Sequence, residues 1–154
     1  MSFKIEHAKP ADIPQLVAFL KDLFSTELDF TADASRQQRG LELLIAEAAK
    51  SDRLTVAVAR DEQGKALGMA SAQLVISTAE GAPSAWIEDV IVHPDFRRQG
   101  LGRLLLDHLL AWAKTRGATR AQLVTDKENQ GAELFYNGVG WETTRLGVRR
   151  RFIE

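Results

Sequence analysis

AWIEDVIVHPDFRRQGLGRLLLDHLLAWAK, residues 85–114, changes its period halfway along. From Ala85 to Val92 it is a short β-rich run that ends at His93-Pro94. Proline holds the residue before it in extended backbone, so the strand stops there. Past the glycines the apolar residues return at helical spacing. Leu101, Leu105, Leu109 and Trp112 lie along one side, which predicts a helix over Leu101–Lys114 that Gly117 stops. Between strand and helix sits Arg97-Arg98-Gln99-Gly100-Leu101-Gly102-Arg103. A helix start presents backbone N–H groups without partners and the positive end of the helix dipole, so an anion fits there. Gly100 and Gly102 carry no Cβ to keep a bulky anion away. Arg97, Arg98 and Arg103 add charge and fork-shaped donors for phosphate oxygens. The physical reading is a pyrophosphate cradle. The P-loop pattern fails for want of its lysine. The dinucleotide fingerprint fails because Leu105 stands where its third glycine belongs.

Reading outward, residues 3–7 alternate as a short strand. A helix follows with Asp12 as N-cap and Gln15 completing a capping box. Its apolar face is Ile13, Leu16, Val17, Leu20, Leu23 and Phe24. The polar stretch STELDFTADASRQQR leads to a second helix striped by Leu41, Leu44, Ile45 and Ala48. LTVAVAR (54–60) and ALGMASAQLVIS (66–77), joined by a glycine turn, predict a hairpin. RAQLVTD (120–126) reads as a fifth strand, NQGAELFYNGVG (129–140) as a short helix, and WETTRL and VRRRFIE as a closing strand pair. Antiparallel runs joined to one β-α-β crossover predict an α/β fold of α+β character. Its sheet is mixed, mostly antiparallel, with about seven strands flanked by about four helices, in a single domain over residues 1–154.

Composition sets the outer bounds. The 154 residues suit one domain with a real core, and 45% hydrophobic with 27% charged is an ordinary globular mix. A net charge of −1 provides no global field for nucleic acid or anionic membrane. Arg149, Arg150 and Arg151, on an alternating strand, point to both faces and make no basic stripe. With no cysteine there are no disulfides and no thiolate chemistry. His7, His93 and His108 show no metal-ligand spacing, so no metal is expected; His93 reads as a turn residue and His108 as structural. MSFKIEHAK lacks a signal-peptide core, and no apolar run approaches the roughly 20 residues of a membrane span, so a cytoplasmic protein is expected.

Arg97-x-x-Gly100-x-Gly102, with its strand before and long helix after, resembles the R/Q-x-x-G-x-G/A element of the GNAT superfamily of acyl-CoA-dependent N-acyltransferases. NQGAELFYNGVGWE is similar to that family's N-x-x-A-x-x-F-Y…G-F/W element. The resemblance runs from Ile5 to Trp141. It implies acetyl-CoA as cosubstrate and direct transfer of the acetyl group to an amine without a covalent enzyme intermediate. It also implies pyrophosphate on the backbone amides of Arg98, Gln99, Gly100, Leu101, Gly102 and Arg103. The pantetheine arm would lie on main-chain groups of Val90, Ile91 and Val92, where the strand splays from its neighbour. Pantetheine carries two amides, which match an open strand edge. Asn129 would contact the cofactor arm and also suits a helix N-cap. Tyr136, the only tyrosine, would serve the departing thiolate as general acid. The backbone N–H of Val90 would polarise the thioester carbonyl.

The general base falls to Glu88 or Asp89, with Glu88 favoured. Strict alternation puts Trp86, Glu88, Val90 and Val92 on one side and Asp89 on the other, unless a bulge re-aims one of them. A carboxylate amid apolar neighbours has a raised pKa and suits the work. Trp86 and Trp141 are candidate pocket walls. Acceptor choice is expected from the loop carrying Glu27, Asp29 and Asp33 beside Phe24 and Phe30, whose acidity would attract a cationic amine. The residues do not separate a small-molecule amine from a peptide amine. A non-catalytic acyl-CoA-binding module on the same fold, and a homodimer through the C-terminal strands, remain open at this point.

Overall fold

A computed structural model describes residues 2–153, in two compact units, Met1–Leu123 and Val124–Glu154. The first unit holds a five-stranded sheet in the order β1 (Lys4–His7), β2 (Leu54–Arg60), β3 (Ala66–Ser77), β4 (Ala82–Val92), β5 (Arg120–Gln122). The first four strands are antiparallel neighbours, and β5 joins β4 in parallel. Helices α1 (Ile13–Thr26) and α2 (Ala34–Lys50) intervene between β1 and β2. Helix α3 (Leu101–Lys114) makes the crossover from β4 to β5.

The two faces of the sheet follow from strand alternation. Val56, Val58, Met69 and Ile91 point to α1 and α2 and close a core with Leu16, Phe19, Leu20 and Leu41. The opposite face takes α3, whose Leu101, Leu105, Leu106, Leu109 and Trp112 are buried. Helix α3 approaches closely because β3 carries Gly68. A Cβ at that position would stand 2.8 Å from the Ile91 carbonyl oxygen and 3.4 Å from Leu105 Cδ1.

Three sequence expectations change. Asp12 does not cap α1 with its side chain. It accepts from the Lys9 N–H in a 3₁₀ turn (Pro10–Asp12) and pairs with Arg60, Nη2 to Oδ2 at 2.6 Å. Arg60 also reaches Glu6, so one guanidinium ties β1, the start of α1 and β2 together. Burial pulls the Asp12 carboxyl upward, but hydrogen bonds and charge from Arg60, with the Lys9 N–H, more than offset this and hold it below the usual range. Second, α2 starts at Ala34, inside the stretch read as a polar linker. Asp33 caps it, Oδ1 accepting from the Ser35 and Arg36 N–H groups. The apolar stripe begins only at Leu41, about two turns later, which hid the true start.

Third, among the described residues the sheet has five strands rather than about seven. In the second unit, α4 (Gln130–Gly138) is formed, but among the described residues no strand follows it. Strand backbone needs a partner for its N–H and C=O groups, and this segment has no buried face to align one. Leu146 and Val148 are each 72% exposed, and three adjacent arginines break the alternation before Phe152. Arg150 lies over the Phe152 ring at 4.9 Å, and among the described residues the arginines belong to no strand.

Candidate functional site

The turn between β4 and α3 is built from the strand end outward. The His93 N–H donates to the Leu67 carbonyl at 2.7 Å, and its ring packs edge-on to Phe19 and Phe96. His93 Nδ1 accepts from the Asp95 N–H, confirming a turn residue. Beyond the 3₁₀ turn Pro94–Phe96, Arg98 (φ +61°) and Gly100 (φ +83°) both take left-handed backbone. A turn that enters the left-handed region can bend successive N–H groups to one side, forming an anion-binding concavity. The first α-helical bond there runs from the Leu104 N–H to the Gly100 carbonyl. Among the described residues, the N–H groups of Arg98, Gln99, Gly100, Leu101, Gly102 and Arg103 donate to no protein acceptor.

Gly100 earns its place through conformation rather than space. A Cβ there would meet nothing within 4 Å, but φ +83° strains any L side chain. The arginines divide their work. Arg97 Nε donates to the Val92 carbonyl at 3.0 Å and fastens the strand end. Arg103 lies 3.7 Å from Asp107 on the exposed side of α3. Free amides, two left-handed residues and adjacent guanidiniums fit a polyoxyanion.

The strand before the turn is half open. β4 pairs with β3 along its length but with β5 only where Ser84, Ala85 and Trp86 face Arg120, Ala121 and Gln122. From Ile87 to Val92, among the described residues, no strand lies on the β5 side. An extended ligand bearing amides can pair with such an edge.

In the same stretch the ladder slips. Ser71 faces Glu88 and Met69 faces Ile91, which leaves Ala70 opposite both Asp89 and Val90. This is a β-bulge, and Asp89 sits in it at φ +56°. The Ser71 hydroxyl donates to the Glu88 carbonyl at 3.2 Å, beside the bulge. The slip overturns the expected alternation. Ile91, not Val90 or Val92, continues on the side of Glu88, where it joins Met69 in the α1/α2 core.

The two carboxylates therefore have different surroundings. Glu88 is exposed, and its Oε1 accepts from Trp86 Nε1 at 2.7 Å. Asp89 is partly buried. Burial pushes its pKa up to about 7, helped by repulsion from Glu88 and then from Glu27, which follows α1. Neither the positive φ of Asp89 nor the approach of Glu27, some sixty positions earlier in the chain, has a signature in spacing. In the acidic loop Phe24 and Phe30 do come together, ring centroids 5.4 Å apart. Asp33 is committed to capping α2 instead; the Ser35 hydroxyl and the Arg36 N–H hold its carboxyl below the usual range.

In the second unit, Asn129 caps α4, its Oδ1 accepting from the Ala132 N–H at 3.1 Å. The Tyr136 ring stands edge-on to Phe135 and Trp141, with centroids 5.0 and 6.0 Å away. Among the described residues no cluster of three His, Asp or Glu could hold a metal ion, and no helix is long and apolar enough to cross a membrane.

The chain is 39% identical over 67 residues to an uncharacterized N-acetyltransferase of Methanocaldococcus jannaschii, covering 44% of this chain and 30% of that protein. It is 31% identical over 91 residues to the [ribosomal protein bS18]-alanine N-acetyltransferase of Escherichia coli K12, covering 59% and 56%. The matched stretches thus span between about a third and somewhat over half of these relatives. The fold superposes on the crystal structure of glucosamine-6-phosphate N-acetyltransferase from Arabidopsis thaliana with a TM-score of 0.76, over 99% of this chain and 100% of that one, at 22% identity. The model of the acetyltransferase (GNAT) family matches residues 17–141, which include the strand, the bulge, the glycine turn and α4, and the chain belongs to that family.

Proposed function

We propose that the chain is an acetyl-CoA-dependent N-acetyltransferase acting on a primary amine. The observation that carries this is the run of partnerless amides at residues 98–103, set at the end of a strand whose outer edge is open from Ile87 to Val92. Together they fit a pyrophosphate followed by an amide-bearing arm. Coenzyme A has that order, and its thioester supplies the acetyl group.

The chain's own residues then have three tasks. The amine must lose a proton, and Asp89 is the favoured base. A carboxylate with a pKa of about 7 is half ionised near neutral pH and accepts the proton without a large mismatch. Glu88, the carboxylate favoured from the sequence, is solvent-exposed and held by Trp86. As the amine nitrogen forms a bond to the acetyl carbon, negative charge grows on the carbonyl oxygen, and a backbone N–H at the bulge, that of Val90, is the proposed donor. The carbon–sulfur bond breaks, the thiolate leaves, and the motif assigns its proton to the Tyr136 hydroxyl. The products are an acetamide and free coenzyme A. The acceptor is an amine of a small molecule or a peptide; one relative is a [ribosomal protein bS18]-alanine N-acetyltransferase.

Calorimetry with coenzyme A and free-thiol release across a panel of amines test this reading. Binding with turnover on at least one amine is expected, and Gly100→Val weakens binding by tenfold or more while the fold melts cooperatively. Binding without turnover on any amine would favour the non-catalytic acyl-CoA module instead. Absence of binding at millimolar ligand sinks both.

A further inference from the structure

We infer that Trp86 is a positioning residue: its indole N–H fastens the Glu88 carboxylate, so that the Glu88 charge stays beside Asp89 during turnover. This rests on the proposal that Asp89 is the base. Trp86 and Glu88 are two residues apart on β4 and share a face, which allows the 2.7 Å bond from Nε1 to Oε1. A hydrogen bond to an ionised acceptor is among the stronger ones. Glu88 is exposed, and without that anchor its side chain regains its rotamers and carries its charge into solvent. Repulsion on Asp89 then falls with distance and screening.

The sheet makes Trp86 a firm anchor. It is the last β4 residue held on both sides, opposite Gln73 of β3 and Gln122 of β5. Glu88 lies two residues further on, where the β5 side is open, and the bulge follows immediately. The charged groups acting on Asp89 are Glu88 on its own strand and Glu27 after α1; Ala70, across from it on β3, carries none. Trp86 therefore holds the one charged neighbour that would otherwise swing free from the strand carrying the base.

The test measures the pH dependence of kcat/KM, by thiol release, for the full chain as wild type, W86F, E88Q, W86F/E88Q and D89N. The Asp89 carboxyl is also followed by carbon NMR, which needs no turnover. E88Q is expected to move the acidic limb and the NMR midpoint down by about half a pH unit or more. W86F moves both in the same direction, and the double variant moves no further than E88Q alone. An unmoved midpoint in W86F, or a W86F shift that persists undiminished in the E88Q background, overturns the inference. If W86F does not fold, W86M takes its place in the same comparison. The failure of the underlying reading looks different: D89N would then keep the wild-type limb, whatever Trp86 does.

Discussion

As the proposed base, Asp89 would trade stability for chemistry. Its carboxyl is raised from 3.8 to about 7 by burial, with repulsion from Glu88 and Glu27 added. A carboxyl whose folded pKa lies above its unfolded value binds more protons when folded. Stability therefore falls as pH rises from about 4 to 7, and the full penalty is present at pH 8. Asp89→Asn removes that penalty, so the variant should melt at a higher temperature than wild type at pH 8, with the difference vanishing near pH 4. The same variant should lose turnover by about 10²- to 10⁴-fold, and with it the acidic limb near pH 7. Paired melting curves and rate profiles check both halves. A variant that melts higher and still turns over at the wild-type rate would remove Asp89 from the chemistry. The adjacent carboxylates were legible as candidates in the sequence, but their ranking was not. Glu88 was the favoured one there; the bulge gives Asp89 a left-handed φ and a partly buried site, which is what supports proposing Asp89 instead.

At the scale of elements, the β4–turn–α3 passage depends on how closely the sheet and α3 approach. Gly68 permits this, since a methyl group there would lie 2.8 Å from a backbone oxygen that cannot rotate away. Gly68→Ala should therefore cost about 1–3 kcal/mol, the usual range for overpacking, and displace β4 from β3. Denaturant unfolding reads the first effect. Calorimetry with coenzyme A reads the second, as weaker binding, because the open edge and the amide cradle both hang on β4. A stability loss without change in affinity would show that β4 holds its course independently. The strand, turn and helix here were readable in order and almost to the residue, with α3 falling on Leu101–Lys114 as its leucine spacing predicts. The reason is local: proline, glycine and a 3.6-residue period each act within a few positions. The start of α2 was not readable, because Asp33 caps a turn that has no apolar residue to announce it.

At the scale of the whole molecule, a partly buried histidine on α3 makes stability depend on pH. His7 on β1 and His108 on α3 meet edge-on, centroids 6.4 Å apart, on the face of the sheet away from α1 and α2. His7 Nδ1 lies 3.1 Å from the Thr55 hydroxyl, whereas His108 Nε2 is buried with no hydrogen-bond partner. Burial, and then the neighbouring His7, hold the His108 pKa below 6.5. Its neutral form is the one that fits the fold, so this contribution is present above pH 6.5 and is lost as pH falls through the lower folded value. His108→Leu should flatten that part of the curve: wild type loses melting temperature between pH 7.5 and 5.5, and the variant loses less. Equal losses would place the sensitivity elsewhere.

Sequence alone determined the period of each element in the first unit, the glycine turn with its anion-binding logic, and the pair of carboxylates before it. These are properties of neighbours along the chain, where dihedral preference and side-chain spacing act without help. The tertiary structure decided what distant residues do to one another. It took Asp12 from its helix to Arg60, brought Glu27 towards Asp89, and slipped the ladder so that Ala70 faces two residues. It also left the C-terminal apolar residues exposed, without the partner that strand pairing demands. Burial, charge repulsion and ladder register are sums over neighbours in space, and the order of residues does not state which neighbours those will be.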